Sequence, residues 1–282
     1  MHVRIAQKLI DLSAPVVMGI LNVTPDSFSD GGRFVSREAA VRQADLMTGE
    51  GAVIIDVGGE STRPGAAAVS EQDEIERVAP VVEAIAGRFD VVVSVDTSKP
   101  AVMRAAVAAG ASMVNDVHAL RRDGALSAAA SLEVAVCLMH MQGQPRTMQD
   151  DPRYGNVADE VAGFLAGRVT ASLDAGIRRD RIVVDPGFGF GKTAAHNVEL
   201  LANLGRISDL GLPLLVGLSR KATLGALTDR PVDGRIPAGI AAAVLAVERG
   251  AHIVRTHDVG ATVDALKVAL AVMRQSDSRA RR

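Results

Sequence analysis

Met18-Gly-Ile-Leu-Asn-Val-Thr-Pro-Asp-Ser-Phe-Ser-Asp-Gly-Gly32 changes from an apolar run to a polar loop within a few residues. Residues 16–21 are apolar and rich in β-branched side chains, which predicts a strand buried on both faces, with Asn22 at its end. Turn-forming residues follow from position 24 to 32, interrupted by Phe28. Two interpretations stay open for this stretch alone: an ordinary strand-to-helix connection in which Asn22 satisfies backbone groups, or a binding loop.

The same alternation of apolar strand and helix recurs along the chain. Strands are predicted at residues 16–21, 52–57, 91–95, 112–114, 134–139, 181–184, 214–217 and 252–254. Between them, Ser36, Ser70 and Pro100 are predicted to begin helices. Eight such units with nearly uniformly apolar strands predict a closed (β/α)8 TIM barrel rather than an open doubly wound sheet. We expect one domain over residues 1–282, with a frayed tail at 275–282.

Composition narrows the class of protein. The 282 residues are 48% hydrophobic, which is enough for a sizeable core, and the net charge of −2 gives no basic face for nucleic acid. A single cysteine, Cys137, excludes an internal disulfide and lies in an apolar run, so we expect a buried thiol. The N-terminal residues do not resemble a signal peptide, and no run reaches membrane-spanning length. These features predict a cytoplasmic protein with neither nucleic acid nor membrane as a partner.

The residues that leave the predicted strands are polar almost throughout. They are Asn22, Asp56, Asp96, Asn115, His140, Asp185, Lys221, Arg255 and His257. In a barrel of this kind the C-terminal ends of the strands share one face and hold the chemistry. We therefore expect these side chains to converge on one site.

One group of candidates suits a phosphate. Its cationic or donor side chains are Arg63, Arg255 and His257. Asn22 could hold Mg²⁺, which usually keeps several waters and shares itself between a protein oxygen and a phosphate. Together they predict a pyrophosphate site. The alternative left open is that the two arginines form salt bridges at the barrel rim with Glu60, Asp56 or Asp258.

A second group suits a flat heterocycle. It comprises Asp96, Asn115, Asp185 and Lys221. A carboxylate can accept two parallel N–H donors from a 2-amino-4-oxo ring, and a lysine can donate to the oxo group and a ring nitrogen. Phe190 and Met139 could cover the two faces of the ring, although such residues near a barrel end are more often core.

Two near-motifs carry no function. Gly187-Phe-Gly-Phe-Gly-Lys-Thr193 is one residue short of the P-loop spacing and does not match the dinucleotide fingerprint. Neither Lys192 nor Lys221 is accompanied by a signal for a carbonyl substrate, so a Schiff-base lysine is not predicted. No cluster of thiols or histidines indicates zinc.

Five stretches in order resemble the signatures of the bacterial dihydropteroate synthase family. They are the opening stretch at 18–32, Asp56-Val-Gly-Gly-Glu-Ser-Thr-Arg-Pro-Gly65, Ser94-Val-Asp-Thr97, Asp185-Pro-Gly-Phe-Gly-Phe-Gly-Lys192 and Ser219-Arg-Lys221. The resemblance implies a barrel with two mobile loops, at 24–32 and 60–65, and a homodimer. It also implies an enzyme of folate biosynthesis that joins a dihydropterin to p-aminobenzoate and is the target of sulfonamides.

The resemblance also assigns roles by position. The pterin pocket falls on Asp96, Asn115, Asp185 and Lys221, with Phe190 and Met139 against the ring. The pyrophosphate site falls on Asn22, Thr62, Arg63, Arg255 and His257. The p-aminobenzoate site falls on Phe28, Thr62, Arg63, Pro64, Phe190 and Lys221. Catalytic roles are implied for Asp96, Lys221, Arg63, Arg255 and His257. The chain departs from the family at Ala222, where a serine is common, so one hydroxyl contact to the substrate carboxylate is lost.

Three functions follow as hypotheses. The first is Mg²⁺-dependent transfer of the dihydropterin methylene from 6-hydroxymethyl-7,8-dihydropterin diphosphate to p-aminobenzoate, by an SN1-like path. The second is a methyltetrahydrofolate-binding methyltransferase barrel, which would share Asp96, Asn115 and Asp185 but would not need the pyrophosphate site. The third is a non-catalytic pterin-binding protein, for which two closing loops would have no purpose.

Overall fold

The computed structural model describes residues 1–5, 8–24, 33–61, 68–144 and 147–280, and only the backbone of 33–36 and 276–280. An antiparallel hairpin, β1 His2–Ile5 and β2 Lys8–Asp11, precedes an eight-stranded parallel sheet. The sheet strands are β3 Val16–Asn22, β4 Ile54–Gly58, β5 Val92–Asp96, β6 Met113–Asp116, β7 Ala135–Met139, β8 Ile182–Asp185, β9 Leu215–Val216 and β10 Ile253–Thr256. β10 pairs with β3, and a bridge from Val184 to Leu214 joins β8 to the start of β9. The predicted closed barrel is therefore confirmed.

Helices follow the strands on the outside. They are α1 Arg33–Gly49, α2 Glu71–Ala86, α3 Pro100–Ala108, α4 Ala125–Leu132, α5 Val157–Asp174, α6 Ala194–Ala202, α7 Gly205–Ser208, α8 Ala222–Thr228, α9 Ile236–Glu248 and α10 Val259–Ala280. Ser70 caps α2 by accepting from Asp73 N, as predicted. The prediction that Ser36 caps α1 is wrong, because that helix begins at Arg33. None of the helices in the described ranges combines the length and apolarity that a bilayer crossing requires.

The C-terminal helix extends into the tail that was predicted to fray. Its backbone is helical through Ala280, whereas Arg281 and Arg282 lie outside the described residues. Val263 and Met273 pack against the outer core and Leu266 is buried within it, in agreement with the apolar face predicted for this helix.

The β1–β2 hairpin, which the sequence patterns did not reveal, closes the N-terminal end of the barrel. Val3, Ile5 and Leu12 are buried there against inward-facing residues of the strands. Those residues are Met18, Ile54, Val92, Met113, Ala135, Cys137, Val183, Leu215 and Ile253. The predicted burial of Cys137 is confirmed. This end is filled by apolar side chains, so we expect the site at the opposite end, where the strands end in polar residues; we call that end the barrel mouth.

Strand register arranges the inward-facing residues at the barrel mouth into layers. Asn22 pairs with Gly58, Gly58 with Asp96, and Asp96 with Asn115, so these four residues of adjacent strands share one layer. Asp56 lies one layer deeper, beside Ser94. Since side chains alternate between the two faces of a strand, this register aims the polar residues of the layer inward.

Candidate active site

A charged network lies at the centre of the barrel mouth. Arg255 Nε donates to Asp56 Oδ2 at 2.7 Å, and Arg255 Nη2 donates to Asp96 Oδ2 at 2.9 Å. Asn115 Nδ2 donates to the same Asp56 oxygen at 2.9 Å. Strands that are far apart in sequence therefore meet in one hydrogen-bonded group. The structure brings Asp96, Asn115 and Arg255 together as predicted, and it adds Asp56 as their shared partner.

The salt-bridge alternative for Arg255 holds in this structure, although inside the barrel rather than at its rim. Asp56 is fully buried, and its Oδ1 accepts no hydrogen bond from any described residue. Asp258 pairs with Arg220 instead, at 2.5 Å. A guanidinium in this position neutralises two carboxylates and still has further N–H groups for a ligand anion.

Burial sets the proton affinities of this network. Desolvation raises the pKa of Asp96 to about 7; Arg255 opposes the rise, and Asp56 adds to it. Burial disfavours the Arg255 cation, but the negative charges of Asp56 and Asp96 outweigh it and raise the pKa of the guanidinium. Asp96 can thus exchange a proton near neutral pH while Arg255 stays charged.

Asp185 and Lys221 form the second part of the site. Asp185 Oδ1 accepts from Gly187 N at 2.7 Å, which leaves Oδ2 for a ligand. Burial raises the pKa of Asp185, and the charge of Lys221 opposes that rise. Lys221 Nζ donates to the carbonyl oxygen of Phe188 and lies 4.6 Å from the ring centroid of Phe190. Burial lowers the pKa of Lys221 to about 8, with Asp185 opposing.

An apolar cluster borders this acceptor and donor pair. Its members are Val117, Met139, Met141 and Met148, with Phe190 packed against them. Met139 is buried, whereas Phe190 is half-buried. The structure therefore puts both predicted ring-covering residues in one patch next to Lys221, where they also serve as packing residues.

Asn22 is the last residue of β3, and His257 directly follows β10, which pairs with β3. Gly58 lies between Asn22 and Asp96 in their shared layer at the barrel mouth. A Cβ atom built on Gly58 would lie 3.7 Å from Asn22 Oδ1 and 3.8 Å from Asp96 Oδ2, so the absence of a side chain leaves space between these two oxygen atoms. His257 Nδ1 is 3.0 Å from Ser219 Oγ, which also accepts from His257 N at 3.2 Å. When the Ser219 hydroxyl donates to Nδ1, neutral His257 carries its proton on Nε2 and can donate it to an anion.

The oxygen atoms of Asn22 and Asp96 are of the kind that Mg²⁺ prefers, but they are too few to hold the ion without further ligands. Within the described ranges, no group of three histidine, cysteine, aspartate or glutamate side chains could hold a metal ion. Mg²⁺ needs only one or two protein oxygens when a substrate phosphate and water complete its shell. Asn22 therefore fits the predicted role.

Four of the predicted site residues lie outside the described residues: Phe28, Thr62, Arg63 and Pro64. Their roles stay predictions. The chain on either side of segment 62–67 is joined by Lys99, whose Nζ contacts Glu60 Oε2 at 3.0 Å, Glu74 Oε2 at 2.5 Å and the Val69 carbonyl at 2.7 Å. Sequence reasoning missed Lys99, since no local pattern marks a lysine buried between two carboxylates.

The sequence patterns assign no site role to Lys192, and the structure gives this residue a buried setting. Its Nζ lies 2.9 Å from His140 Nδ1. His140, predicted among the converging strand ends, turns to this lysine rather than into the charged network. No sequence signal distinguishes such a contact from an exposed lysine on a loop.

Comparisons with known proteins agree with this geometry. The family model described as pterin binding enzyme matches residues 18–257. The chain is 54% identical over 261 residues to the dihydropteroate synthase of Haemophilus influenzae, covering 93% of this chain and 95% of that protein.

Solved structures that resemble this chain are also dihydropteroate synthases. The Yersinia pestis dihydropteroate synthase with a sulfonamide drug complex superposes with a TM-score of 0.93 at 50% identity, covering 97% of this chain and 100% of that one. The Xanthomonas albilineans enzyme with 4-aminobenzoic acid gives a TM-score of 0.91 at 52% identity, covering 96% and 98% of the two chains. Another structure of the X. albilineans enzyme is in complex with 7,8-dihydropteroate.

Proposed function

The chain belongs to the pterin binding enzyme family and, within it, to the dihydropteroate synthases of folate biosynthesis, and from this premise we propose how its residues perform the transfer. The substrates are 6-hydroxymethyl-7,8-dihydropterin diphosphate and p-aminobenzoate, and the products are 7,8-dihydropteroate and pyrophosphate. The observation that carries the proposal is the convergence of Asp96, Asn115, Asp185 and Lys221 beside the cation of Arg255. A methyltransferase barrel would need the first three of these but not a buried guanidinium near Asn22 and His257.

The pterin ring is held by acceptors and donors of matching geometry. Asp185 Oδ2 accepts from the 2-amino group and the adjacent ring N–H, since Gly187 N occupies the other carboxylate oxygen. Lys221 donates to the oxo group and a ring nitrogen. Asn115 serves the edge that carries both donors and acceptors, and Phe190 with Met139 packs against the ring.

The leaving diphosphate lies at the outer edge of the mouth. Arg255 of β10 and His257, which follows β10, are assigned to it, and the family resemblance adds Thr62 and Arg63. Asn22 would hold Mg²⁺, which when bound offsets the negative charge of the leaving group. Ser219 supports this site by fixing the tautomer of His257.

The arylamine site combines residues of the barrel mouth with residues of the two segments that follow β3 and β4 in the sequence. Phe190 and Lys221 border it from the barrel, and Phe28, Thr62, Arg63 and Pro64 are assigned to it from the loops. Sulfonamides share the flat ring and anionic end of p-aminobenzoate, so they compete for this site. Substituting Phe28 or Pro64 by alanine should change sulfonamide affinity more than the midpoint of thermal unfolding, because loop residues contribute little to barrel stability. Early unfolding with unchanged sulfonamide affinity would contradict the assignment.

The reaction follows an SN1-like path. We propose that pyrophosphate departs first, because a weakly basic arylamine can attack the resulting cation without a general base. The methylene cation that remains is delocalised into the pterin ring, and Asp96 stabilises it electrostatically. The amine attacks this cation and loses its proton to water or to pyrophosphate. The protein thereby promotes ionisation of the C–O bond and excludes competing water.

Two measurements test the order of events. Calorimetry of p-aminobenzoate with and without pyrophosphate should show binding only when pyrophosphate or the diphosphate substrate is present. Oxygen isotope should scramble between bridging and non-bridging positions of the diphosphate when p-aminobenzoate is absent. Equal p-aminobenzoate affinity in both conditions contradicts the ordering, and absent scrambling, with the bound phosphate shown free to rotate, favours direct displacement.

The activity itself is tested directly. Purified protein, Mg²⁺, dihydropterin diphosphate and p-aminobenzoate should yield dihydropteroate and pyrophosphate in equal amounts. The same assay with Asp264→Asn, a change at an exposed carboxylate of α10, is the control for an unaffected surface variant. Pterin binding without turnover would instead favour the non-catalytic pterin-binding protein.

We propose that the enzyme is a homodimer and that it works in the cytoplasm. Support for a dimer comes from large exposed apolar side chains on three consecutive helices, Leu227 on α8, Leu245 on α9 and Val268 on α10. Sedimentation equilibrium should give the mass of a dimer for the wild type and a higher dimer dissociation constant for Val268→Lys. The cytoplasmic proposal is supported by a lone buried cysteine, and cell fractionation tests it.

A further inference from the structure

Lys192 is a buried cation that none of the roles assigned so far uses. Its side chain is 2% exposed, and its Nζ donates to the carbonyl oxygens of Gly187 at 2.9 Å and Phe190 at 3.1 Å. The third neighbour is His140 Nδ1, also at 2.9 Å. Three acceptors match the three N–H groups of an ammonium, so the lysine is fully hydrogen-bonded without an ion pair among the described residues.

The two carbonyls belong to a turn that carries contacts of the pterin site. In this 187–191 turn, Gly187 N donates to Asp185 Oδ1, and the Phe190 ring lies beside Lys221 Nζ. Lys192 therefore binds the same two residues that orient the ring acceptor and cover the ring face. Its hydrogen-bond partners among the described residues, His140 Nδ1 and the two carbonyl oxygens, include no group assigned to the pyrophosphate site.

The turn has a conformation that its backbone would not hold unaided. Gly187, Gly189 and Gly191 all have positive φ, of 66°, 77° and 61°. A Cβ atom on Gly187 would lie 1.9 Å from the His140 carbonyl oxygen, and one on Gly191 would lie 2.4 Å from that of Gln142. Because three glycines lose much conformational freedom here, the turn depends on contacts from outside to stay in place.

We propose that Lys192 is a positioning residue of the pterin site, which clamps the 187–191 turn so that Gly187 N–H orients the Asp185 carboxylate and Phe190 stays beside Lys221. The proposal rests on the assignment of Asp185 to pterin binding. Lys192 acts on the ligand in two ways: its hydrogen bonds hold the turn, and its charge favours the ionised form of Asp185.

The pairing with His140 keeps the clamp intact in either protonation state. Burial, and then the charge of Lys221, lowers the pKa of Lys192 to about 7, with Asp185 opposing; burial, and then Lys192, lowers that of His140 to about 3. Charged Lys192 donates all three N–H groups, one of them to His140 Nδ1. Neutral Lys192 donates to both carbonyls and accepts from His140 Nδ1–H through its lone pair. The turn is therefore held across neutral pH, whereas the electrostatic help to Asp185 fades as pH rises.

The test compares pterin binding by wild type, Lys192→Met and Lys267→Met. Lys267 lies exposed on α10, so its variant is a matched control for exchanging lysine for methionine. The probe is 6-hydroxymethylpterin, with calorimetric affinity measured between about pH 5 and 8 and with KM and kcat for both substrates. Loss of the clamp should weaken the pterin roughly 10- to 100-fold in Lys192→Met, as expected when a buried hydrogen-bonding partner is removed. KM for p-aminobenzoate should change less.

The pH profile separates positioning from mere stability. Without the Lys192 charge, the pKa of Asp185 rises further, because among the described residues Lys221 and Arg255 are then left to oppose the effect of burial. As the solution is acidified, pterin affinity should therefore begin to fall at a higher pH in Lys192→Met than in wild type. A folded Lys192→Met protein with wild-type affinity and an unshifted profile overturns the proposal.

Two further results separate failure of the pterin-site assignment from failure of the role proposed for Lys192. If wild type binds no pterin, or if Asp185→Asn binds it normally, the site assignment fails rather than the role of Lys192. If Lys192→Met does not fold, His140→Ala takes its place, since it removes one contact and leaves the lysine. We expect weaker pterin binding in His140→Ala and recovery in His140→Asn, whose amide oxygen can accept from Lys192. Unchanged affinity in His140→Ala overturns the proposal in that case.

Discussion

Replacing Asp185 by asparagine puts a hydrogen-bond donor where the site needs acceptors on both sides. One carboxylate oxygen accepts from Gly187 N at 2.7 Å, and the other is left for the N–H donors of the pterin. An asparagine can satisfy Gly187 with its oxygen, and then its NH₂ group faces the ligand donors. In the flipped orientation the NH₂ group faces Gly187 N–H. Neither orientation allows all donors to be matched.

The magnitude follows from these two contacts. A hydrogen bond to a charged group contributes roughly 1.5–3 kcal/mol, and a buried donor left without an acceptor costs about 1–3 kcal/mol. The sum is about 2.5–6 kcal/mol, which weakens binding by a factor between about 60 and 20,000, because each 1.4 kcal/mol is a factor of ten. In wild type, burial raises the pKa of Asp185, so affinity should fall as pH approaches that pKa from above. The affinity of the asparagine variant should not show this fall with decreasing pH.

Calorimetry with 6-hydroxymethylpterin at several pH values measures both effects. Asp264→Asn, an exposed carboxylate exchanged in the same way, controls for the loss of one negative charge. The midpoint of thermal unfolding shows that each variant is folded. An Asp185→Asn protein that binds the pterin within about threefold of wild type, or that retains the wild-type pH dependence, would refute the assignment of Asp185 as the ring acceptor.

Three further predictions concern the same region. Arg255→Met should lower the free energy of unfolding by about 3–5 kcal/mol at pH 8, because Asp56 and Asp96 lose their buried cation. The loss should shrink at pH 5, because burial raises the pKa of Asp96 to about 7 and the folded state therefore binds a proton there that the unfolded chain does not bind. Equal losses in urea unfolding at both pH values contradict this reasoning. The free energy of unfolding of the wild type should rise between about pH 7 and 10, because the pKa of Lys192 is lowered to about 7 in the folded state and the unfolded chain binds that proton more readily in this range. The Lys192→Met variant should lack this rise. Parallel stability curves for variant and wild type would exclude such a shift. Ala222→Ser should lower KM for p-aminobenzoate a few-fold by adding a hydroxyl at the first residue of α8, and an unchanged KM would show that position 222 does not contact the substrate.

Strand order and the polar strand ends were predictable from the sequence, and the reason is periodicity. Apolar runs that alternate with amphipathic segments have few compact solutions, and a parallel barrel brings the C-terminal ends of its strands together whatever the helices contain. For that reason Asp96, Asn115, Asp185 and Lys221 could be grouped before their distances were known. The departures were local: α1 begins at Arg33 rather than at Ser36, and the β1–β2 hairpin was missed because its strands are short and partly polar.

Tertiary structure alone decided which partner each polar side chain has. Arg255 could have met Asp258, its near neighbour, but the barrel register aims it at Asp56, 199 residues away, and leaves Asp258 to Arg220. Lys192 likewise became a buried clamp only because the 187–191 turn presses against the end of β7. Local sequence determines which residues reach the barrel mouth. The choice among several acceptors of similar strength depends on side-chain direction and on distances between strands, which exist only once the barrel has closed.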